Sequence, residues 1–598
     1  MINSKQVVDS YLLRTDWKVL ENSNAPFSLG ALNKRLSAVV SEDYWLESVY
    51  SADIVEAFRS GFFHIHDLGG LTLYCCGYSL QQIIMKGVRG IPNVPTSAPA
   101  GHFMSILNQV TNLTTIYQNE IMGAVAFSSF DTLLAPFVHK DKLSYEEVKQ
   151  YMQNWVFSIN SNSRAGAEPA FSNYTFDINP PKDLKDKPAI VGAMPYEDYV
   201  YGDFQEEMDM INRAFCELML AGDGEGKPFA YPIPTYNVHG DFNWNNPVLD
   251  GVFQMAGKYG IPYFGNFINS DMDISDVRSM CCRLRLDLRE LRKKTGGLFG
   301  SGDATGSVGV VTLNLPRIAY ISKSKEDFFL ILEHYMDLAS ESLEIKRSFL
   351  NEEILKKNAL PAFMEYVGTL DNHFSTIGLV GMNEMCINAG WLNSDLTEDA
   401  GIAFSIEVLD FMRNKMSDYQ VKTNNLYNLE ATPAESTCYS LAMKDRALFP
   451  GIFTQGEGDS CFYTNSCRLP VDQVQSIDHA ATVASQLQPL FTGGTAEHFY
   501  LARPISGEKA KTIVKHVLTN YNIPYISLSP LVAYCPAHGR VAAMMDSDGF
   551  AMDMCPECGR KLDMYQRITG YIRKVEFFNK GKAAEFRKRK QIKVMEVK

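Results

Sequence analysis

Four potential metal ligands near the C-terminus place the tightest constraint on how this chain can fold. Cys535 and His538 form a C-x-x-H pair, Cys555 and Cys558 form a C-x-x-C pair, and each pair is followed by a glycine where the backbone must turn tightly. Three thiolates and one imidazole suit tetrahedral Zn²⁺, and four protein ligands leave no coordination position for water. The pattern therefore predicts a structural zinc site.

The remaining cysteines and the charge limit the cellular setting. Twelve cysteines in 598 residues are too few for a disulfide scaffold, so we interpret them as ligands, reactive thiols or core residues in a reducing compartment. The N-terminus lacks a signal-peptide pattern and no run of about 18 apolar residues occurs. We expect a cytoplasmic protein with no membrane contact. The net charge of -13 argues against nucleic acid as a partner and favours small, locally held phosphate compounds.

The body of the chain alternates between helical and strand-like patterns. Apolar spacing predicts helices over Ala31–Val40, Tyr44–Phe58, Tyr145–Ile159 and Phe204–Ala221. Strand-like segments occur within Leu71–Cys76, Ala124–Phe137, Phe171–Asp177, Tyr231–Thr235 and Gly306–Arg317. Strands separated by helices indicate βα units around a buried sheet, and no low-complexity linker interrupts residues 30–530. One large α/β body is therefore expected, followed by a basic stretch, Lys580–Lys590, that we interpret as a solvated helix end.

Two pairs of adjacent cysteines are candidates for chemistry. Cys281 and Cys282 cannot comfortably share a disulfide and point in different directions, so at most one of them faces a common substrate. Simple burial of both is the alternative. Cys75 and its neighbour Cys76 end the apolar segment that follows His64 and His66. These two histidines could form a metal half-site or a hydrogen-bonded structural pair.

Several segments together resemble the anaerobic ribonucleotide reductases. They are HIHD at 64–67, GVVTLNLPR at 309–317, TPAES at 432–436, TGGT at 492–495, the metal ligands, RITGY at 567–571 and NKGK at 579–582. The resemblance extends over about residues 25–590. His538 departs from the family pattern, which usually has four cysteines at the metal site, although Cys3His is also a common zinc set.

The resemblance implies a fold and a division into domains. The expected fold is a ten-stranded α/β barrel with a central cysteine-bearing finger loop and a small C-terminal region that holds zinc and a glycyl radical. We assign residues 1–530 to the catalytic barrel with its N-terminal helices, 531–562 to the zinc knuckles, and 563–598 to the radical loop and tail. The N-terminal ATP-binding regulatory module of many family members is expected to be missing.

The resemblance also assigns the radical chemistry. Gly570 is the expected radical site, because a glycine α-carbon has no side chain and can become planar while the flanking amide groups share the spin. By itself, Gly570 would be interpreted as a turn or helix-cap glycine. A radical S-adenosylmethionine activating enzyme would install the radical, Cys282 would become the thiyl that abstracts the 3′ hydrogen of the ribose, and Cys75 would supply an electron and a proton from the opposite face.

Further residues are candidates for substrate contacts. Glu435 in TPAES could handle the proton of the 3′ hydroxyl, or it could cap a helix. Thr492, Gly493 and Gly494 offer small side chains and amides suited to a phosphate, although Gly-Gly is a weak signal by itself. His64 and His66 would line the pocket.

The predicted activity is the reduction of ribonucleoside triphosphates to deoxyribonucleotides in a homodimer, with dNTP or ATP effectors at a specificity site. The reductant is either formate or a thioredoxin-like protein, and we lean toward the latter. Two alternatives remain open. A lyase of the pyruvate formate-lyase type also uses a glycyl radical and adjacent cysteines, but normally lacks the zinc knuckles. A non-catalytic zinc-ribbon protein that binds a partner is the second.

Overall fold

The computed structural model describes residues 2–15, 27–268, 277–279, 285–287, 304–547, 550–568, 570–590 and 592. Its strands are β1 Phe63–Ile65, β2 Cys75–Gly77, β3 Val125–Phe127, β4 Ser172–Phe176, β5 Pro188–Val191, β6 Met194–Val200, β7 Ile233–His239, β8 Tyr263–Phe267, β9 Val277–Ser279, β10 Arg285–Asp287, β11 Gly306–Asn314, β12 His373–Val380, β13 Leu426–Glu430, β14 Glu497–Leu501, β15 Tyr525–Pro530, β16 Val532–Cys535, β17 Gly539–Val541, β18 Asp563–Arg567 and β19 Ile572–Lys574.

The helices surround these strands. They are α1 Ser4–Leu12, α2 Leu29–Tyr44, α3 Ala52–Ser60, α4 Leu80–Lys86, α5 Phe103–Glu120, α6 Phe130–Asp141, α7 Tyr145–Ile159, α8 Lys182–Lys185, α9 Gln205–Ala221, α10 Leu249–Lys258, α11 Leu315–Ile321, α12 Lys325–Phe349, α13 Pro361–Tyr366, α14 Met382–Asn388, α15 Asp399–Thr423, α16 Glu435–Leu448, α17 Ile477–Leu487, α18 Gly507–Asn520 and α19 Lys580–Lys588. Among the described helices, none combines the length and apolar character that a membrane span requires.

The central sheet consists of two parallel sets that run in opposite directions. The strand order is β13-β12-β11-β2-β3-β4-β7-β8-β15-β14. Pairing is parallel from β2 to β8, from β11 to β13 and between β14 and β15. It is antiparallel where β2 meets β11 and where β8 meets β15. These ten strands run five in each direction, as expected for the ten-stranded barrel, and an eleventh strand, β1, pairs antiparallel with β11 outside this order.

The segment before β14 links the two ends of this sheet. The amide of Gly493 donates to the carbonyl of Leu429 at 2.7 Å, and the amide of Ala431 donates to the carbonyl of Gly494 at 2.7 Å. The amide of Leu429 also donates to Oγ1 of Thr492 at 2.9 Å. Because Leu429 belongs to β13, these bonds close the barrel.

The two faces of the barrel wall differ in polarity. Side chains that face the helices are apolar and form two large core clusters. Alternate residues on the opposite face are largely polar and bond across strands, for example Asn173 to Thr235 at 3.2 Å and Ser307 to Thr376 at 2.9 Å. Since strand side chains alternate between faces, the barrel has an apolar exterior under the helices and a polar interior.

Predicted elements were partly right. The helix over Tyr145–Ile159 is confirmed with the same bounds, and a capping box at Ser144 explains its start. The predicted strand over Ala124–Phe137 is wrong beyond Phe127, because α6 begins at Phe130. That helix is buried on all sides along most of its length, so its apolar residues show no one-sided period and look like a buried strand.

The C-terminal region contains a second, smaller sheet. Strands β17, β16, β18 and β19 form one sheet in that order, so the segments that carry the predicted metal ligands and Gly570 share it. Phe578 precedes α19 and Phe586 lies within it. Both pack in the same apolar cluster as Cys535 and Cys555. The basic stretch does form a helix, but it is not simply solvated, because Arg589 just after it is only 1% exposed.

Candidate active site and metal centre

The four predicted metal ligands converge. Their ligand atoms lie within 4.8 Å of one another. Sγ of Cys535 is 3.6 Å from Sγ of Cys558, and Nδ1 of His538 is 3.7 Å from Cys535 Sγ and 3.5 Å from Cys555 Sγ. A zinc ion about 2.3 Å from sulfur and about 2.0 Å from nitrogen requires ligand separations of roughly 3.5–3.8 Å. The residues therefore fit a tetrahedral zinc ion.

Two of the four predicted ligands, Cys535 and Cys555, have a pKa below the usual thiol value. Although burial raises the pKa of Cys555, hydrogen bonds from His538 and from the amides of Glu557 and Cys558 outweigh it and lower that pKa to about 6. The amide of Ala537 also donates to Sγ of Cys535 at 3.4 Å. Thiolates are the form that binds metal, so the backbone around both knuckles is arranged for ligation.

Gly570 is buried, and its own amide and carbonyl are both bonded to side chains. Its N–H donates to Oε1 of Glu435 at 3.2 Å. Its carbonyl accepts a hydrogen bond from the Tyr263 hydroxyl at 2.7 Å and a longer one from Nη1 of Arg567 at 3.2 Å. The predicted radical glycine is thus attached to the barrel from both sides.

Two buried arginines hold the loop that carries Gly570. Arg567, at the end of β18, donates to the carbonyls of Gly260 and Ile261 and lies 4.2 Å above the ring of Tyr263. Arg589 donates to the carbonyls of Arg567 and Ile568 at 3.0 and 3.2 Å, and it lies 4.0 Å above the ring of Tyr500. The loop is therefore fixed by cations that reach backbone oxygens on both sides.

Glu435 is the first residue of α16, directly after the barrel strand β13 and the loop that follows it. The helix has no side-chain cap in the described structure, so the capping alternative for Glu435 has no hydrogen bond to support it. Its carboxylate instead reaches the Gly570 amide. A carboxylate at a helix N-terminus is also stabilised by the helix dipole.

Cys75 and Cys76 occupy opposite faces of β2. Cys75 packs with Ala124, Phe374 and Leu426 in a small cluster separate from the main cores, and Cys76 packs in the outer core. The amide of Ala124 donates to Sγ of Cys75 at 3.3 Å. Strand alternation therefore assigns Cys75 to the barrel interior.

An aromatic contact connects the loop of Gly570 with this cluster. The ring of Tyr571, next to Gly570, lies edge-on 6.1 Å from the ring of Phe171. Phe171 in turn packs against the cluster that contains Cys75. Cys282 and its neighbour Cys281 lie outside the described residues.

The two predicted histidines are adjacent at the barrel wall. The rings of His64 and His66 are 4.8 Å apart, and Nε2 of His66 is 2.8 Å from Oγ1 of Thr312. Burial, assisted by the positive charge of Lys346, lowers the pKa of His66 to about 4, so the ring is neutral at pH 7. Within the described residues no metal cluster includes either histidine.

The TGGT segment has a structural role that sequence analysis did not assign. Gly493 and Gly494 form the barrel closure described above, and a Cβ at Gly493 would lie only 3.0 Å from the carbonyl of Leu429. Close backbone approach therefore explains the glycine. The Thr492 side chain bonds to the same strand.

The functional roles of Tyr263, Arg589 and Lys346 are not evident from the sequence. Tyr263 follows an ordinary apolar pattern, and its contact with Gly570 joins residues 307 positions apart, so no local signal could identify it. Arg589 was included only in the basic stretch. Arg567, the first residue of the RITGY motif, was the local signal for a cation that anchors the loop.

Comparison with known proteins identifies the family. The family model described as "Anaerobic ribonucleoside-triphosphate reductase" matches residues 21–591. The chain belongs to this family. It is an oxidoreductase that makes deoxyribonucleotides anaerobically, and the lyase and zinc-ribbon alternatives are not better supported.

Relatives agree with this family assignment along most of the chain. The anaerobic ribonucleoside-triphosphate reductase of Haemophilus influenzae is 23% identical over 93% of this chain and 80% of its own length. An anaerobic ribonucleotide reductase structure from Thermotoga maritima, with dATP in the specificity site, has a TM-score of 0.73 at 22% identity and covers 95% of this chain and 94% of its own. A complex of the Thermotoga maritima enzyme with dATP and CTP gives 0.72 at 21% identity, with 97% and 98% covered. The barrel is therefore the fold of the anaerobic reductases.

Proposed function

We propose that this anaerobic reductase stores its radical on Gly570 and passes it to the substrate through Cys282. The observation that carries the proposal is the double attachment of a buried Gly570 to the barrel, through Glu435 on one side and Tyr263 on the other. A surface turn glycine has no need of such partners. Exclusion of water and oxygen around a radical fits this burial.

The relay needs a thiol because a stored backbone radical is too stable to react with each substrate. Cys282 gives its hydrogen atom to Gly570 and, as a thiyl, takes the 3′ hydrogen of the ribose. Loss of the 2′ hydroxyl as water then requires a proton and a reductant. Replacing the 2′ hydroxyl by hydrogen takes two electrons. Cys75 supplies one electron and a proton from its place in the barrel interior, the external reductant, a thioredoxin-like protein or formate, supplies the other electron, and Cys282 returns the hydrogen atom to the 3′ carbon. Glu435 handles the proton of the 3′ hydroxyl.

Polar groups in the barrel interior support a nucleotide pocket. Asn428, Thr175, Asn237 and Thr495 each have a buried side-chain atom without a hydrogen-bond partner among the described residues. Leaving such a group unpaired costs about 1–3 kcal/mol, so a polar ligand at these positions recovers stability. We assign the phosphates to the segment Thr492 to Gly494, and the sugar to the neighbourhood of His64 and His66.

The other components follow from the donor set and from relatives. Cys535, His538, Cys555 and Cys558 hold a structural Zn²⁺, and a radical S-adenosylmethionine enzyme activates Gly570. The relatives solved with dATP and with CTP support dNTP or ATP effectors at a specificity site and ribonucleoside triphosphate substrates. We further propose a homodimer, a thioredoxin-like reductant with formate as the alternative, and a division into 1–530, 531–562 and 563–598.

Anaerobic activation followed by a nucleotide assay tests this function. The purified chain, incubated with its activating enzyme, S-adenosylmethionine and a reductant, is expected to show a glycine doublet by electron spin resonance and to convert CTP to dCTP. The doublet should disappear in Gly570→Ala, while zinc content stays the same. A doublet that persists in Gly570→Ala would assign the radical elsewhere. Formate and a thioredoxin system, supplied separately, distinguish the two reductants.

A further inference from the structure

The groups around Gly570 carry opposite charges on its two sides. The N–H faces the carboxylate of Glu435, whereas the carbonyl faces the Tyr263 hydroxyl and the guanidinium of Arg567. Tyr263 and Arg567 are 1% and 2% exposed. Charge-assisted hydrogen bonds are stronger than neutral ones, and a low-dielectric surrounding strengthens them further.

The two donors on the carbonyl side are coupled to each other. Nη1 of Arg567 donates to the Tyr263 hydroxyl oxygen as well as to the Gly570 carbonyl. A cation that donates to a phenol oxygen makes the phenol O–H a stronger donor to the next acceptor in the chain, here the Gly570 carbonyl. Hydrogen bonds in such a chain therefore reinforce each other. The carbonyl groups of Gly260 and Ile261 hold the guanidinium in this position.

This arrangement matches the electron distribution of a glycyl radical. The unpaired electron on the α-carbon is shared with the amide nitrogen, which gives electron density, and with the carbonyl, which takes it. The charge-separated form has a more positive N–H and a more negative oxygen than closed-shell glycine. A carboxylate on the N–H and a phenol with a guanidinium on the oxygen therefore stabilise the radical more than the glycine.

We propose that Glu435, Tyr263 and Arg567 stabilise the radical at Gly570 and set how readily it exchanges with the thiol. The inference rests on the proposed function of Gly570. In the exchange, the S–H bond of the cysteine breaks and the Cα–H bond of Gly570 forms, so one hydrogen atom moves and no further proton or electron is required. Stronger stabilisation favours the stored radical, and weaker stabilisation favours the thiyl.

The test removes one hydroxyl. Tyr263→Phe keeps the ring and deletes the bond to the Gly570 carbonyl. With less charge separation, more spin stays on the α-carbon, so the doublet splitting is expected to widen and the nitrogen coupling in ¹⁵N-labelled protein to shrink. Loss of the radical on exposure to oxygen should accelerate about two- to tenfold, the factor that a single net hydrogen bond supplies.

A matched control separates this effect from loss of a buried hydroxyl in general. Tyr174→Phe makes the same change in β4, where the hydroxyl lies 3.0 Å from Oγ1 of Thr114. Its spectrum and oxygen sensitivity should equal those of the unaltered protein. Glu435→Gln, which removes the charge on the amide side, should widen the splitting as Tyr263→Phe does and supplies a second measurement if Tyr263→Phe folds poorly.

The outcomes distinguish the two proposals. This inference is overturned if the unaltered protein and all three of these variants show the doublet and its splitting is unchanged in both Tyr263→Phe and Glu435→Gln. The proposed function would then remain intact. Equal changes in Tyr263→Phe and Tyr174→Phe also overturn it, because they indicate general loosening. Absence of any doublet in the activated, unaltered protein contradicts the proposed function itself.

Discussion

Lys346 of α12 is a buried cation, packed against the barrel strand β11, that no sequence pattern indicates. It is 2% exposed, lies next to Gly309 of β11 and is 6.0 Å from the ring of Trp45. Burial lowers the pKa of Lys346 to about 8, an effect that the charges of Asp67 and Cys75 partly offset. At neutral pH the desolvation of this positive charge near Cys75 therefore lowers the stability of the fold.

Replacing Lys346 by methionine should stabilise the fold at neutral pH. A free lysine has a pKa of about 10.4, so the unfolded chain binds the proton more tightly, and the full cost, at most about 3 kcal/mol, is present below pH 8. Stability of the unaltered protein should rise between about pH 8 and pH 10 as Lys346 loses its proton. Thermal unfolding of Lys346→Met should thus show a higher midpoint at pH 7 but not at pH 10.

The exposed Lys357 provides the control for this prediction. Lys357→Met removes a charge paired with Glu353 at the surface, and it should change the midpoint little at either pH. A midpoint that falls at both pH values in Lys346→Met would mean that the ammonium contributes more than its desolvation costs.

Cys282→Ser tests the other end of the radical relay. A serine hydroxyl holds its hydrogen too strongly to replace the thiol, so turnover of CTP is expected to fall below detection while the glycine doublet still forms. The measurement combines a product assay with spin quantification on one activated sample. Turnover near that of the unaltered protein would remove Cys282 from the relay. Cys281→Ser is the matched control and should retain activity.

At the level of elements, α19 and the residue after it, Arg589, anchor the loop of Gly570. Asn579 caps its first turn by accepting from the amide of Lys582 at 2.7 Å, and Glu585 binds Lys582 and Arg589. Gly581 allows close contact, since a Cβ there would lie 2.7 Å from the ring of Tyr439. The helix therefore fits against the barrel with one face, and the loop carbonyls depend on that fit.

Loss of Arg589 should release the radical loop. Arg589→Ala leaves Glu585 with Lys582 only and leaves the carbonyls of Arg567 and Ile568 without their donor, at a cost of roughly 3 kcal/mol. Hydrogen exchange over 563–590 should accelerate while the barrel strands remain protected. Arg587→Ala, at an exposed position of the same helix, should leave exchange unchanged. Equal exchange in both variants would argue against the anchoring role.

At the level of the whole molecule, the barrel and the C-terminal unit have separate cores. The apolar cluster around Cys535, Leu562 and Phe586 is distinct from the two clusters under the barrel helices. The barrel closes through its own residues, from Thr492 to Gly494, and does not need the metal for closure. Loss of zinc should therefore destabilise the C-terminal unit and leave the barrel folded.

Cys535→Ser should release the metal and loosen the C-terminal unit. Zinc measured per chain is expected to fall from about one to near zero, and hydrogen exchange should rise over 531–590 with the barrel protected. His538→Cys replaces imidazole by a fourth thiolate, and it should keep both the zinc and the protection. Zinc retained in Cys535→Ser would contradict the ligand set.

Sequence analysis predicted some features well because their signals are local. The zinc ligands follow from spacing and donor chemistry, and α7 follows from a regular apolar period with a capping box. It failed at α6, where burial on all sides erases the period. Gly570 and Cys75 came from resemblance to a family, which supplied roles that composition and spacing could not.

The sequence by itself predicted the four candidate metal ligands, the α/β class and the family resemblance, because ligand spacing, periodicity and motifs occur within short segments. Only the tertiary structure decided the surroundings of Gly570. Glu435, which bonds the amide of Gly570, comes from α16, and Tyr263, which bonds the carbonyl, comes from β8. The two meet because the closed barrel brings its strand ends to one site. Contacts between residues more than a hundred positions apart depend on the topology of the whole sheet, which no local pattern encodes.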